Sequence, residues 1–166
     1  MILYSLAYTI KMSKKGSHQI KDYFDFVVPP LEGFWWQDGV KGIDYAHKER
    51  FNFISCIRMP EFVTDEVLAW AKKEAAIKKG LDFSPVKLLV LTEGKCVQIM
   101  HHGSYDDEPA TIAKMHQFIA KNDLGLDFSD QRRHHEIYLS NSQRTKLENL
   151  KMIIRLPVKE KKMKND

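Results

Sequence analysis

The chain has 166 residues, 43% hydrophobic and 29% charged, an ordinary globular balance with room for one domain or two small half-domains sharing a core. Half of the net charge of +4 comes from residues 159–166, so no basic stripe marks a folded element and a nucleic-acid binder is not expected. Two cysteines without CxxC spacing, no run long enough for a bilayer, and lysines placed after the first apolar residues argue against a disulfide scaffold, a membrane span and a signal peptide, and leave the cytoplasm as the expected compartment.

Residues 2–15 set Leu3, Leu6, Ala7 and Ile10 at helical spacing, with Gly16 as the expected C-cap. Residues 23–28 read as a strand of aromatic and β-branched side chains, ended by Pro29 and Pro30. A loop then carries Gly33, Phe34, Trp35 and Trp36. These rings either plug the core or wall a site for a flat or cationic ligand. Neighbours on an extended segment point opposite ways, so one Trp is expected to anchor the core and the other to line the site.

Residues 51–58 form a strand stopped by Met59 and Pro60, and Thr64 caps a helix that opens on Asp65 and Glu66 and closes at Gly80. A hairpin of residues 86–91 and 95–101 is expected around Glu93 and Gly94. Asp106, Asp107, Glu108 and Pro109 open the next helix, the acids serving as first-turn charge, and Ile112, Met115, Phe118 and Ile119 give it one buried face. Residues 150–157 form the last strand. An Ile-Arg-x-Pro ending occurs at both 57–60 and 154–157. The order helix, strand, strand thus appears twice, which suggests two homologous α+β halves, about 1–80 and 81–158, in a single domain 1–158, followed by a basic disordered tail, 159–166.

The segment 133–140 organises the rest. In an extended chain Ile137 and Leu139 face one way, read as core, and His134, Glu136 and Tyr138 the other. An ionised Glu among apolar neighbours costs several kcal/mol unless something charged or hydrogen-bonding meets it. Either an internal cation (Arg58, Arg155 or Lys87) satisfies Glu136, or the carboxylate awaits a ligand. As a binding group it would hold a cation against Trp35 or Trp36, Tyr105 and Tyr138. As a catalyst it would be a general base, with Tyr105 or a Trp N–H holding a carbonyl oxygen of the substrate. His101, His102, His134 and His135 form two adjacent pairs, and each pair offers one ligand per face. With no zinc spacing, neither a metal nor another cofactor is expected, and His134 is read as an orienter of Glu136. No P-loop, GxGxxG or GxSxG pattern is present, so nucleotide and serine-hydrolase chemistry have no support.

Five segments carry a resemblance: Leu3-Tyr4-Ser5-Leu6-Ala7-Tyr8-Thr9-Ile10-Lys11, the run from Phe26 through Pro29-Pro30-Leu31-Glu32-Gly33-Phe34-Trp35-Trp36, Cys96-Val97-Gln98-Ile99-Met100-His101, Tyr105-Asp106-Asp107-Glu108-Pro109-Ala110-Thr111-Ile112, and His134-His135-Glu136-Ile137-Tyr138-Leu139-Ser140. In that order they resemble the GyrI-like small-molecule-binding superfamily, above all its stand-alone members. The resemblance implies an α+β pair of SHS2 modules with antiparallel sheets around a ligand cleft, and a buried Glu, matched by Glu136, as counter-charge for amphipathic, often cationic aromatic compounds. By motif Tyr105, Trp35 and Trp36 also fall on cleft-lining positions, and together with the reading of the residues the expected site has Glu136 and Tyr105 as the catalytic pair and Trp35, Trp36, Met100, His134 and Tyr138 as ligand contacts. Three roles stay open: capture of such compounds for detoxification or sequestration, hydrolysis of cyclopropanoid rings in DNA-alkylating natural products as in the similar cyclopropanoid cyclopropyl hydrolases, or a protein-inhibiting partner module. The family's leading hairpin has no counterpart before the first helix here, so pairing with a second copy of the chain is also expected.

Overall fold

The computed structural model describes residues 2–161. Its chain divides into two compact units, residues 1–30 with 56–90 and residues 31–55 with 91–166.

The first unit is built on two amphipathic helices. The spacing of Leu6 and Ile10 is realised in α1 (Ile2–Lys11), which tightens into a 3-10 turn, Met12–Lys15. Gly16 closes that turn in an extended conformation, with its N–H on the Ser13 carbonyl, and is not a left-handed cap. In α2 (Asp65–Lys79) the Thr64 side chain accepts the Val67 N–H, and Gly80, at φ +64°, ends the helix with its N–H on the Ala76 carbonyl. Leu68, Ala71 and Ala75 of α2 join Leu6 and Ile10 of α1, together with Ile20, Phe62, Val63 and Phe83, in one core.

Two expected strands of this unit are absent. Residues 23–28 are irregular, and their rings instead surround Phe62, Tyr23 at 5.2 Å and Phe26 at 5.9 Å between centroids. Residues 86–91 are also irregular, leaving Leu89 54% and Val90 93% exposed. High β-propensity makes a strand only where a neighbouring strand supplies the ladder. The expected hairpin around Gly94 is therefore reduced to its second arm.

The second unit holds the sheet: β1 (Leu31–Trp36), β2 (Asn52–Cys56), β3 (Cys96–His102), β4 (Leu124–Leu126), β5 (His134–Tyr138) and β6 (Lys151–Glu160), with α3 (Glu108–Lys121) between β3 and β4. The strand order is β2-β1-β5-β6-β3, and β4 pairs with β6. The β1–β5, β5–β6, β3–β6 and β4–β6 pairings are antiparallel. The aromatic loop expected at residues 31–36 is thus a strand. Pro157, expected to end the last strand, lies inside β6. Its carbonyl accepts the Asp127 N–H, and the Val158 N–H reaches the Lys95 carbonyl, so the ladder continues past the missing donor. Lys159 and Glu160, the first residues of the expected tail, pair with β4; residues 162–166 lie outside the described residues.

Ile112, Met115 and Ile119 of α3 pack with Met152, Ile154, Leu156 and Val158 of β6 and with Leu124. Each such side chain contributes about 1.5–3 kcal/mol by leaving water. Glu136 stands opposite Gly33 on β1 and Ile154 on β6, so the helix-covered face of the sheet is the one that carries Glu136. This reverses the sequence expectation, since Leu139 is 45% exposed and Ile137 only half-buried. No helix among the described residues is long and apolar enough to cross a membrane.

Candidate functional site

The antiparallel register brings a polar chain together beneath the apolar layer. His134, Glu136 and Tyr138 alternate along β5 onto one face, as their spacing predicts. His134 is 2% exposed and Glu136 9%. Trp35 lies opposite His134, and its Nε1–H donates to Tyr138 Oη at 3.0 Å. Tyr138 in turn donates to Glu136 Oε2 at 2.6 Å, and His134 Nε2 lies 3.0 Å from Glu136 Oε1. The same Nε2 is 3.2 Å from Glu108 Oε1, which also accepts the Tyr45 hydroxyl at 2.8 Å. Six side chains from β1, β5, α3 and the 3-10 turn Tyr45–Arg50, two of them buried carboxylates, thus form one hydrogen-bonded cluster.

Gly33 is what makes this packing fit. A Cβ there would stand 2.8 Å from both Trp35 Nε1 and Tyr138 Oη, inside steric contact, so those groups would have to shift. A glycine inside a strand often marks such a close approach. Aromatic rings extend the site: Trp35 meets Phe53 at 5.0 Å and Phe51 at 6.0 Å, and Tyr105 meets Tyr138 edge-on at 6.2 Å. Phe53 is 58% exposed, so this wall reaches solvent.

Burial alone would strip the proton from His134. The hydrogen bonds and charges of Glu108 and Glu136 outweigh it, and its pKa is pushed up to about 9. Burial first, and then the charge of the adjoining Glu, hold the Tyr45 and Tyr138 hydroxyls well above the ordinary phenol range, so both remain donors. One imidazole, its pKa raised, is therefore shared by two buried carboxylates. Arg155, a candidate partner for Glu136, instead meets Glu93 at 2.7 Å and Gln98 at 2.9 Å.

Glu108, His134 and Glu136 each offer a ligand atom, all within 4.8 Å of one another. A metal-bound imidazole ordinarily donates its other N–H to an acceptor, whereas the buried His134 Nδ1 has no partner. The existing hydrogen bonds already use the same three ligand atoms, so the set fits a shared proton better than a metal ion.

Of the residues singled out in the sequence, Trp35, His134, Glu136 and Tyr138 are joined by hydrogen bonds, and Tyr105 flanks them. Trp36 and Met100 fall on the other face by strand alternation, Met100 opposite Ile153. The Arg133 guanidinium sits 3.4 Å over the Trp36 ring. Both Trp residues border a cavity of about 490 Å³ with Lys41, Phe128, Asp130 and Arg133, and Glu136 is not among its lining residues. On that second face His135 is clamped between Glu32 (2.8 Å) and Glu93 (2.7 Å) and stacked on Phe34. Sequence reasoning missed Glu108, which is buried rather than a solvent-facing first-turn charge, and Tyr45, Gly33 and Phe53. The glycine embedded among aromatics was the one available signal.

Among solved structures, a hydrolase from Listeria innocua is 47% identical, with a TM-score of 0.85 over 95% of this chain and 76% of its own. An uncharacterized conserved protein from the same organism is 49% identical, with a TM-score of 0.87 over 95% of this chain and 77% of its own. A further Listeria innocua hydrolase is 48% identical, with a TM-score of 0.86 and the same coverage as the second. Curated proteins yield no match. The model of the GyrI-like small molecule binding domain matches residues 3–159, and with the buried Glu136 cluster and its aromatic wall already in place, the chain belongs to that family.

Proposed function

We propose that the protein captures hydrophobic or cationic aromatic small molecules against the Glu136 face of β5, in detoxification or sequestration. The observation that carries this reading is the grouping of two buried carboxylates with aromatic rings. Two carboxylates share one imidazole, and the rings of Trp35, Tyr138 and Tyr105 stand beside them. Rings next to carboxylates favour an organic cation over an anion of the same shape. The test is quenching of Trp fluorescence by tetraphenylphosphonium and by tetraphenylborate. Preference for the phosphonium supports the reading; equal affinity or preference for the borate refutes it.

Hydrolysis is the second reading, favoured by two solved neighbours that are described as hydrolases. Here Glu136 takes a proton from water while the water oxygen bonds to a strained ring carbon. The ring C–C bond breaks, its electron pair passes to a conjugated carbonyl, and that oxygen receives the proton. The net change is addition of one water, with no redox partner. In this reading Tyr105 donates to the carbonyl oxygen. Incubation with a cyclopropanoid alkylator tests this: wild type gives the ring-opened hydrate and Glu136→Gln does not. Absence of hydrate from wild type leaves capture as the activity.

A further inference from the structure

The cavity of about 490 Å³ lies where β1 ends and β5 begins, and only Trp35 belongs both to its lining and to the Glu136 cluster. Two turns form its walls, and each is held from within the protein. In the first, the buried Gln37 side chain accepts the Asp44 N–H at 2.7 Å and donates to the Asp44 and His47 carbonyls, both at 2.9 Å. Gly39 and Gly42, at φ +77° and +110°, let that turn fold in a way that a side chain would resist. In the second, Ser129 and Arg132 exchange both backbone hydrogen bonds, and the Arg132 guanidinium is spent on Asp127 and on the Glu93 and Lys95 carbonyls.

Arg133 borders the same cavity and is not spent. Its guanidinium lies 3.4 Å over the Trp36 ring, which backs one flat face and leaves the in-plane N–H groups to find other acceptors. Among the described residues no carboxylate pairs with it, and its buried Nε has no hydrogen-bond partner. A buried donor without an acceptor is a rarity in a folded protein and calls for an explanation. A carboxylate supplies one, because it accepts two parallel N–H bonds from the edge of a guanidinium. The remaining charges of the lining, Asp38, Lys41 and Asp130, are exposed and solvated. The two acids among them weigh against a dianion such as a phosphate monoester. Phe128 gives the cavity an apolar wall, and its volume suits a small organic molecule. We propose that this cavity is a second ligand site that takes a flat organic monocarboxylate, its carboxylate on Arg133 and its ring against Phe128. Failure of the capture reading would leave this site untouched, because Glu136 is not among its lining residues.

The test is calorimetric titration of the full chain with 2-naphthoate, with its neutral analogue 2-naphthamide and with 2-naphthyl phosphate. Spectra of 15N-labelled arginine follow the Arg133 Nε–H, assigned by its proximity to the Trp36 ring. Wild type should bind naphthoate about tenfold more tightly than the amide, and the Arg133 Nε–H signal should move as naphthoate is added. Arg133→Gln should lose about tenfold in naphthoate affinity and keep its affinity for the amide. Equal affinity for naphthoate and the amide, no binding of naphthoate at millimolar concentration, or an unchanged affinity in Arg133→Gln overturns the proposal. Tighter binding of the phosphate than of naphthoate refutes the assignment to a monocarboxylate. Should Arg133→Gln fail to fold, wild type decides: an Arg133 Nε–H signal that stays in place through the naphthoate titration refutes the site.

Discussion

Gly33→Ala is the substitution whose sign is most diagnostic. At a glycine without positive φ, an added methyl group ordinarily stabilises by about 0.4–1 kcal/mol through the unfolded chain. At Gly33 the new Cβ would stand 2.8 Å from Trp35 Nε1 and from Tyr138 Oη. Those atoms cannot withdraw freely, because Tyr138 is tied to Glu136 at 2.6 Å and receives the Trp35 N–H at 3.0 Å. Overpacking costs about 1–3 kcal/mol, and weakening two hydrogen bonds about 1 kcal/mol each. The balance is a net destabilisation on the order of 2 kcal/mol. Urea denaturation followed by Trp fluorescence measures it, with the midpoint expected to fall, and the same samples should bind tetraphenylphosphonium more weakly. A variant at least as stable as wild type, with unchanged affinity, would show that the Trp35–Tyr138–Glu136 chain does not constrain the site.

Two further substitutions probe the same chain. His134 has its folded pKa raised above the unfolded value of 6.5, so its stabilisation is fully present below pH 6.5 and is lost as pH rises through about 9. The loss is on the order of 3 kcal/mol and should appear as a falling Tm between pH 6.5 and 10 that His134→Gln flattens. Trp35→Phe keeps the ring against Phe53 but removes the donor to Tyr138; it should cost about 1 kcal/mol in urea denaturation and leave folding otherwise intact.

Alternation along β5 was legible in the sequence, and it placed His134, Glu136 and Tyr138 on one face and split Trp35 from Trp36. Which face would be covered was not legible, because alternation assigns residues to faces without saying where α3 lands. Strand register was equally hidden. His135 meets Glu32 and Glu93, and Arg155 meets Glu93, through pairings far apart along the chain. Local preference misled at residues 23–28 and 86–91, where apolar β-formers found no ladder, and at Pro157, which β6 accommodates. Glu108 was hidden by its position, since a first-turn acid looks the same whether it faces solvent or a buried histidine.

The most direct measurement is the ratio of tetraphenylphosphonium to tetraphenylborate affinity in wild type and in Glu136→Gln, read by Trp quenching at pH 7. Replacing the Glu136 carboxyl by a neutral amide should remove most of the cation preference while leaving the fold and the affinity for the borate intact or improved. A ratio unchanged by the substitution would mean that Glu136 does not face the ligand.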